Sequence, residues 1–141
     1  MLIYFCLFQN LVRRFWIQHK DSRVCFHVDN CYRLRFSSNC STTFLYNATS
    51  HRIYHEQSGR CIHRQAGNNG QIIIDEDCQS EKSRFRVLDD GFIQHVGTGY
   101  CIHPKKGGWS PPIEGETLVL WKTCSADRVK FILTPGKSTL F

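Results

Sequence analysis

Six of the seven histidines in this 141-residue chain fall at two recurring positions. They form the pairs His19/His27, His55/His63 and His95/His103, each eight residues apart. The pairs lie in three segments that align without a gap: WIQHKDSRVCFH (16–27), RIYHEQSGRCIH (52–63) and FIQHVGTGYCIH (92–103). A cysteine (Cys25, Cys61 or Cys101) stands just before each second histidine. Such groups invite metal ligation, acid–base or nucleophilic catalysis, or hydrogen bonding to a polar ligand. Two imidazoles per unit make a weak metal site, and no third ligand recurs with them, so no metal is expected. No carboxylate pair repeats between units and no nucleophile has an obvious base, so neither an enzyme nor a cofactor is expected.

Hydrogen bonding remains, and it depends on where each ring points. After its second histidine every unit continues alike, as internally repeated folds do. A polar loop leads to a short apolar run: LRF (34–36), III (72–74) or LVL (118–120). Four residues after that run stands a second cysteine, Cys40, Cys78 or Cys124, and then a last strand at 44–46, 85–88 or 131–133. Three units of four short strands predict an all-β fold with few free edges: a closed, pseudo-threefold β-trefoil. Its single domain spans 15–133, with repeats 15–46, 51–88 and 91–133, an apolar N-terminal segment 1–14 and a tail 134–141.

Period-two alternation sets the faces. In YCIHP, Tyr100 and Ile102 face one way, and Cys101 and His103 the other; Phe26 and Ile62 face inward by the same rule. His27, His63 and His103 therefore face outward beside the loop and are the ligand candidates. His19, His55 and His95 precede the turn and are expected to bond its backbone, because buried polar groups are paired. Within each unit the first cysteine precedes the loop and the second follows the strand leaving it. The repeat thus selects Cys25–Cys40, Cys61–Cys78 and Cys101–Cys124 from the many pairings open to eight cysteines, each stabilising by about 3 kcal/mol. Cys6 and Cys31 either pair with each other or stay free.

The net charge of +6 is scattered apart from Arg13–Arg14, so no nucleic-acid partner is expected. Eight cysteines without a C-x-x-C pair, and the sequons Asn39-Cys40-Ser41 and Asn47-Ala48-Thr49, point to a secreted, extracellular chain. The opening MLIYFCLF is too short to span a bilayer. It lacks the basic start and small-residue cleavage site of a secretory signal, which leaves a degraded or mis-started signal or a packed strand.

The pattern I-x-H-x-x-(S/T)-G-x-x-x-H-P, followed by a glycine loop, a proline pair and L-V-L, resembles the mytilectin-type galactose-binding lectins, which are β-trefoils. The likeness is clearest over 93–120 and extends more weakly over 15–133. The C-I-H…C…K-x-F arrangement is more loosely similar to ricin-B-type trefoils. The resemblance implies that an H-P-x-G-G loop and a later H-x-D-x-H segment hold one galactose or N-acetylgalactosamine per unit. The second unit keeps His63, Gly67 and Asp77, with Gln79 for the last histidine. The third keeps His103, Pro104 and Gly107, has Lys106 for the first glycine, and places Thr123 and Ser125 where Asp and His stand in the family. Asp127 is a substitute acceptor there if the loop shifts, and Trp109 and Trp121 are either stacking rings or packing residues. The first unit, with His27 and Asn39, is the most eroded.

The expectation is a secreted, non-catalytic lectin for terminal galactose-type sugars on glycoproteins or glycolipids, with oligomerisation left open. Imidazole and carboxylate bridge neighbouring hydroxyls, glycine admits close backbone approach, and aromatic rings cover the C–H face of a sugar. The alternative is a trefoil that has lost sugar binding and serves as a protein-interaction scaffold. Asp77 and His63 favour the first; Lys106, Thr123 and Ser125 favour the second.

Overall fold

The computed structural model describes residues 14–65, 70–106, 111–125 and 129–135; the N-terminal segment with Cys6, and Gly67, Gly107, Trp109 and Asp127, lie outside the described residues. Twelve strands follow one another: β1 (Arg14–His19), β2 (Cys25–Val28), β3 (Leu34–Ser37), β4 (Phe44–Asn47), β5 (Arg52–His55), β6 (Cys61–Arg64), β7 (Ile72–Asp75), β8 (Phe85–Val87), β9 (Ile93–His95), β10 (Cys101–Pro104), β11 (Leu118–Trp121) and β12 (Phe131–Pro135). A 3-10 turn, Glu81–Ser83, precedes β8.

Six strands close a barrel. β12 pairs with β1, β1 with β4, β4 with β5 and β8 with β9, all antiparallel. Phe85 N–H donates to His51 O, and Phe131 N–H to Gly91 O, both at 2.7 Å, joining β8 to β5 and β12 to β9. The other six strands form the hairpins β2–β3, β6–β7 and β10–β11. Bridges link these hairpins in a ring: Arg33 to Ile73, Gln71 to Val119, and Thr117 back to Arg35. The three bridges are equivalent, each joining the residue before the third strand of one unit (Arg33, Gln71 or Thr117) to the second residue of that strand in the next (Ile73, Val119 or Arg35), so the ring is a pseudo-threefold cap, and the fold is the expected β-trefoil. Ile17, Ile53 and Ile93 from the barrel, and Phe26, Ile62 and Ile102 from the cap, are fully buried in one core with Phe44, Phe85 and Phe131. Each such side chain contributes about 2 kcal/mol on burial.

The three expected disulfides are present, with Cα–Cα separations of 5.3, 5.6 and 5.5 Å. Cys31 is exposed and unpaired. Tyr100 departs from strict alternation: it is 42% exposed, because it sits in the turn before β10 and not in the strand.

The first histidine of each unit organises that turn. His19 Nδ1 accepts from Ser22 N–H at 3.1 Å, His95 Nδ1 accepts from Thr98 N–H at 3.2 Å, and His55 Nδ1 lies 2.6 Å from Ser58 Oγ. Each ring packs on a barrel phenylalanine: His19 on Phe131, His55 on Phe44, His95 on Phe85. Each turn then needs a left-handed residue, supplied by Arg23 (φ 70°), Gly59 (φ 73°) and Gly99 (φ 75°).

Two outcomes follow for stability. A Cβ on Gly59 meets no atom within 4 Å, so Gly59→Ala isolates backbone strain and should lower the unfolding free energy by about 1 kcal/mol in urea titration. Arg23→Gly should not lower it; equal responses at the two positions would show that the turns are not equivalent. Burial holds the His55 and His95 imidazoles below their ordinary value of 6.5; the charge of His27 adds to this at His55, and the Glu81 carbonyl and carboxylate oppose it at His95. Below pH 6.5 the unfolded chain therefore binds more protons than the folded one. Stability should be level above about pH 7.5 and fall as the pH drops through 6.5, by at most about 1.4 kcal/mol per pH unit for each ring. A flat profile from about pH 7.5 to 5 would mean that neither ring is desolvated.

Candidate functional site

Hairpin register builds the outer face of each unit. Opposed residues share a face, and Phe26 pairs with Phe36, Ile62 with Ile74 and Ile102 with Leu120, all toward the core. The neighbouring pairs must face outward: His27 with Arg35, His63 with Ile73, His103 with Val119. One step further along come Cys25 with Ser37, Cys61 with Asp75 and Cys101 with Trp121. Every unit therefore presents an imidazole beside a disulfide, flanked by a serine, an aspartate or a tryptophan.

These histidines face outward, yet they are not open to solvent. His63 is only 7% exposed and His103 4%, while His27 is half-buried. The segment after the third strand, held by the disulfide, folds back over each ring. It contributes Thr42 in the first unit, Asp77 in the second and Thr123 in the third.

In the second unit His63 Nε2 lies 3.5 Å from Asp77 Oδ2. Asp77 Oδ1 accepts from Gln79 N–H and Ser80 N–H, both at 3.1 Å. These bonds, led by that of Gln79, lower the Asp77 carboxyl from 3.8 to about 2, so it is charged across the ordinary pH range. Its side chain is exposed, with oxygen lone pairs left for a ligand. His63 Nδ1 is buried and has no hydrogen-bond partner among the described residues, an arrangement that costs about 1–3 kcal/mol. Gln79 is exposed, with its carbonyl held by Arg52 Nη2 at 3.0 Å. Arg52 also donates to Ser50 O and Cys78 O, fixing the loop that carries Asp77. This buried arginine is a positioning group outside the sequence-based candidates. The signal was its repeat position, where the other units have Trp16 and Phe92.

The third unit differs. His103 Nε2–H donates to Thr123 O at 2.6 Å, and burial holds this ring below 6.5 against the opposing pull of that carbonyl. The Nε2–H donor of this ring is thus spent on the chain. Pro104 is buried, whereas Trp121 is 55% exposed on the same face as His103. The indole therefore lies open beside the disulfide and is not packed in the core.

In the first unit His27 Nδ1 lies 2.8 Å from Thr42 Oγ1. Asn39 is exposed, with its backbone N–H donating to Ser37 Oγ at 3.1 Å. Among the described residues the outward histidines contact only their own unit: His27 meets Thr42, His63 meets Asp77 and His103 meets Thr123. A hollow of about 320 Å³ lies instead on the cap between the first and third units, lined by Arg35, Lys105, Lys106, Glu114 and Glu116 among others. Arg35 donates to Asp29 Oδ2 and Gly115 O, and the buried Glu116 accepts from Lys106 N–H at 3.2 Å. Only Lys106 of these was singled out in the sequence, because the walls come from two distant segments. Among the described residues no cluster of three or more His, Cys, Asp or Glu could hold a metal, and no helix is long and apolar enough to cross a membrane.

Comparison with solved structures finds the same architecture. The designed threefold-symmetric protein ThreeFoil superposes with a TM-score of 0.70 at 12% identity, covering 86% of this chain and 97% of that one. The earthworm R-type lectin C-half, solved in complex with GalNAc, gives 0.69 at 12%, covering 88% and 99%. The agglutinin from Abrus precatorius gives 0.68 at 18%; this chain covers 48% of its length. Comparison with curated protein sequences gives no match. The family described as MytiLec, alpha-D-galactose-binding lectin, matches residues 51–140, which include both better-preserved units and the His63–Asp77 pair. The three-unit cap, the outward imidazoles and this match agree: the chain belongs to the MytiLec family of alpha-D-galactose-binding lectins.

Proposed function

We propose that this protein is a secreted, non-catalytic lectin that binds terminal galactose or N-acetylgalactosamine on glycoproteins or glycolipids, with the second unit as its principal site. The observation carrying this reading is the His63–Asp77 pair: an exposed, charged carboxylate next to a buried imidazole whose Nδ1 has no partner among the described residues. Adjacent sugar hydroxyls supply both the donor and the acceptor that such a pair calls for. Membership of a galactose-binding family supports the sugar class. Three disulfides support an oxidising, extracellular setting.

The third unit is a weaker site. His103 has given its Nε2–H donor to Thr123 O, and Thr123 and Ser125 bring no carboxylate acceptor such as Asp77. Trp121 remains available to cover the apolar face of a sugar, so this unit contributes stacking more than hydrogen bonding. Two such sites on one rigid body raise the effective affinity for a surface bearing many glycans.

Retention on immobilised galactose with elution by free galactose tests the reading. Asp77→Asn and His63→Ala should each weaken binding by about tenfold or more, the cost of losing a hydrogen bond to a charged or buried group. Trp121→Ala should weaken it less. Wild-type protein that passes unretained at high loading would leave the scaffold reading in place. Retention unchanged by both second-unit substitutions would move the site elsewhere on a protein that is still a lectin.

A further inference from the structure

We propose that Asn47 is an N-glycosylation site of the folded protein and that Asn39 is not, although both head an N-x-(S/T) triplet. The inference rests on the secreted reading and is independent of which sugar the lectin binds.

Asn47 closes β4, and the turn at 48–51 leads into β5. Its backbone register partner is Arg52, at the ends of β4 and β5 farthest from Phe44 and His55. Asn47, Ala48 and Thr49 are all exposed. Asn47 Oδ1 accepts from Thr49 N–H at 2.9 Å and from Ser50 N–H at 3.1 Å, a side-chain turn that fixes the carboxamide by its oxygen alone. The Nδ2 group has no partner among the described residues, so a sugar on this nitrogen breaks no bond of the fold. No cysteine, core residue or ligand-candidate histidine lies in the 47–50 turn.

Asn39 sits in different surroundings. The middle residue of its triplet is Cys40, bridged to the buried Cys25. Its own N–H is bonded to Ser37 Oγ, and its carbonyl accepts from Ser41 N–H at 3.0 Å. The triplet is thus folded tightly onto the disulfide that clamps the first unit, and the transfer enzyme must compete with formation of that bridge.

The reaction is a glycosyl transfer from a lipid pyrophosphate-linked oligosaccharide. A bond forms between Asn47 Nδ2 and C1 of the first sugar while the C1–O bond to the pyrophosphate breaks. The leaving pyrophosphate keeps the electron pair and stays on the lipid, and the amide proton passes to a base of the transfer enzyme. No oxidant or reductant is needed.

The full chain, placed behind a secretory leader and produced in a eukaryotic secretory host, provides the test through intact mass before and after peptide-N-glycosidase and through peptide mapping. One glycan on Asn47 is expected, with Asn39 unmodified. Thr49→Ala keeps the turn that Asn47 makes and should abolish the mass shift. Thr49→Ser should retain it, and Asn39→Gln should leave it unchanged. Secreted, folded protein without a glycan on Asn47, or with its glycan on Asn39, would overturn the proposal. Galactose retention is read separately, so failure of the lectin reading would leave these masses untouched.

Discussion

A strand that buries Phe26, Ile62 or Ile102 on a common axis has one other face, and everything placed there follows from that choice. A slip of one residue would drive an imidazole and a cysteine into the core and expel a large apolar side chain, so register is strongly specified. The ring of bridges between hairpins reinforces it, because each cap strand must match its neighbour as well as its own partner. The outward histidines are thus consequences of core packing, whatever chemistry each unit has kept.

That constraint explains why the three units share a scaffold and differ in their surfaces. Core and turn positions are coupled to neighbours on every side. His19, His55 and His95 each hold a turn and lean on a barrel phenylalanine. The residues folding over the outer face answer only to their own loop. Thr42, Asp77 and Thr123 approach their unit's imidazole through a hydroxyl, a carboxylate and a backbone carbonyl respectively. One geometry therefore presents three chemistries, of which, among the described residues, the second alone leaves a charged acceptor exposed.

The disulfides bind these two levels together. Each joins a buried cysteine on the second strand of a unit to the start of the segment covering that unit's imidazole. Closing a loop of this length removes mainly unfolded-state entropy, about 3 kcal/mol per bridge, and it also limits how far the covering segment can move. In the second unit Arg52 adds a further restraint by gathering three backbone carbonyls. Asp77 is therefore presented by a loop anchored at both chain and side-chain level.

The repeated spacing of histidine, cysteine and apolar runs determined the number of units, their four strands, the facing of side chains within the hairpin strands and the pairing of six cysteines. Those properties are local or periodic, and three copies supply the same message three times. The depth at which His63 and His103 lie, the spending of the His103 donor on Thr123 O, and the hollow between Arg35 and Glu116 were decided only by tertiary structure. Each depends on how a covering loop or a distant unit falls across the hairpin. Such contacts join residues whose separation has no period, such as Arg35 and Gly115, and they leave no recurring mark in the chain.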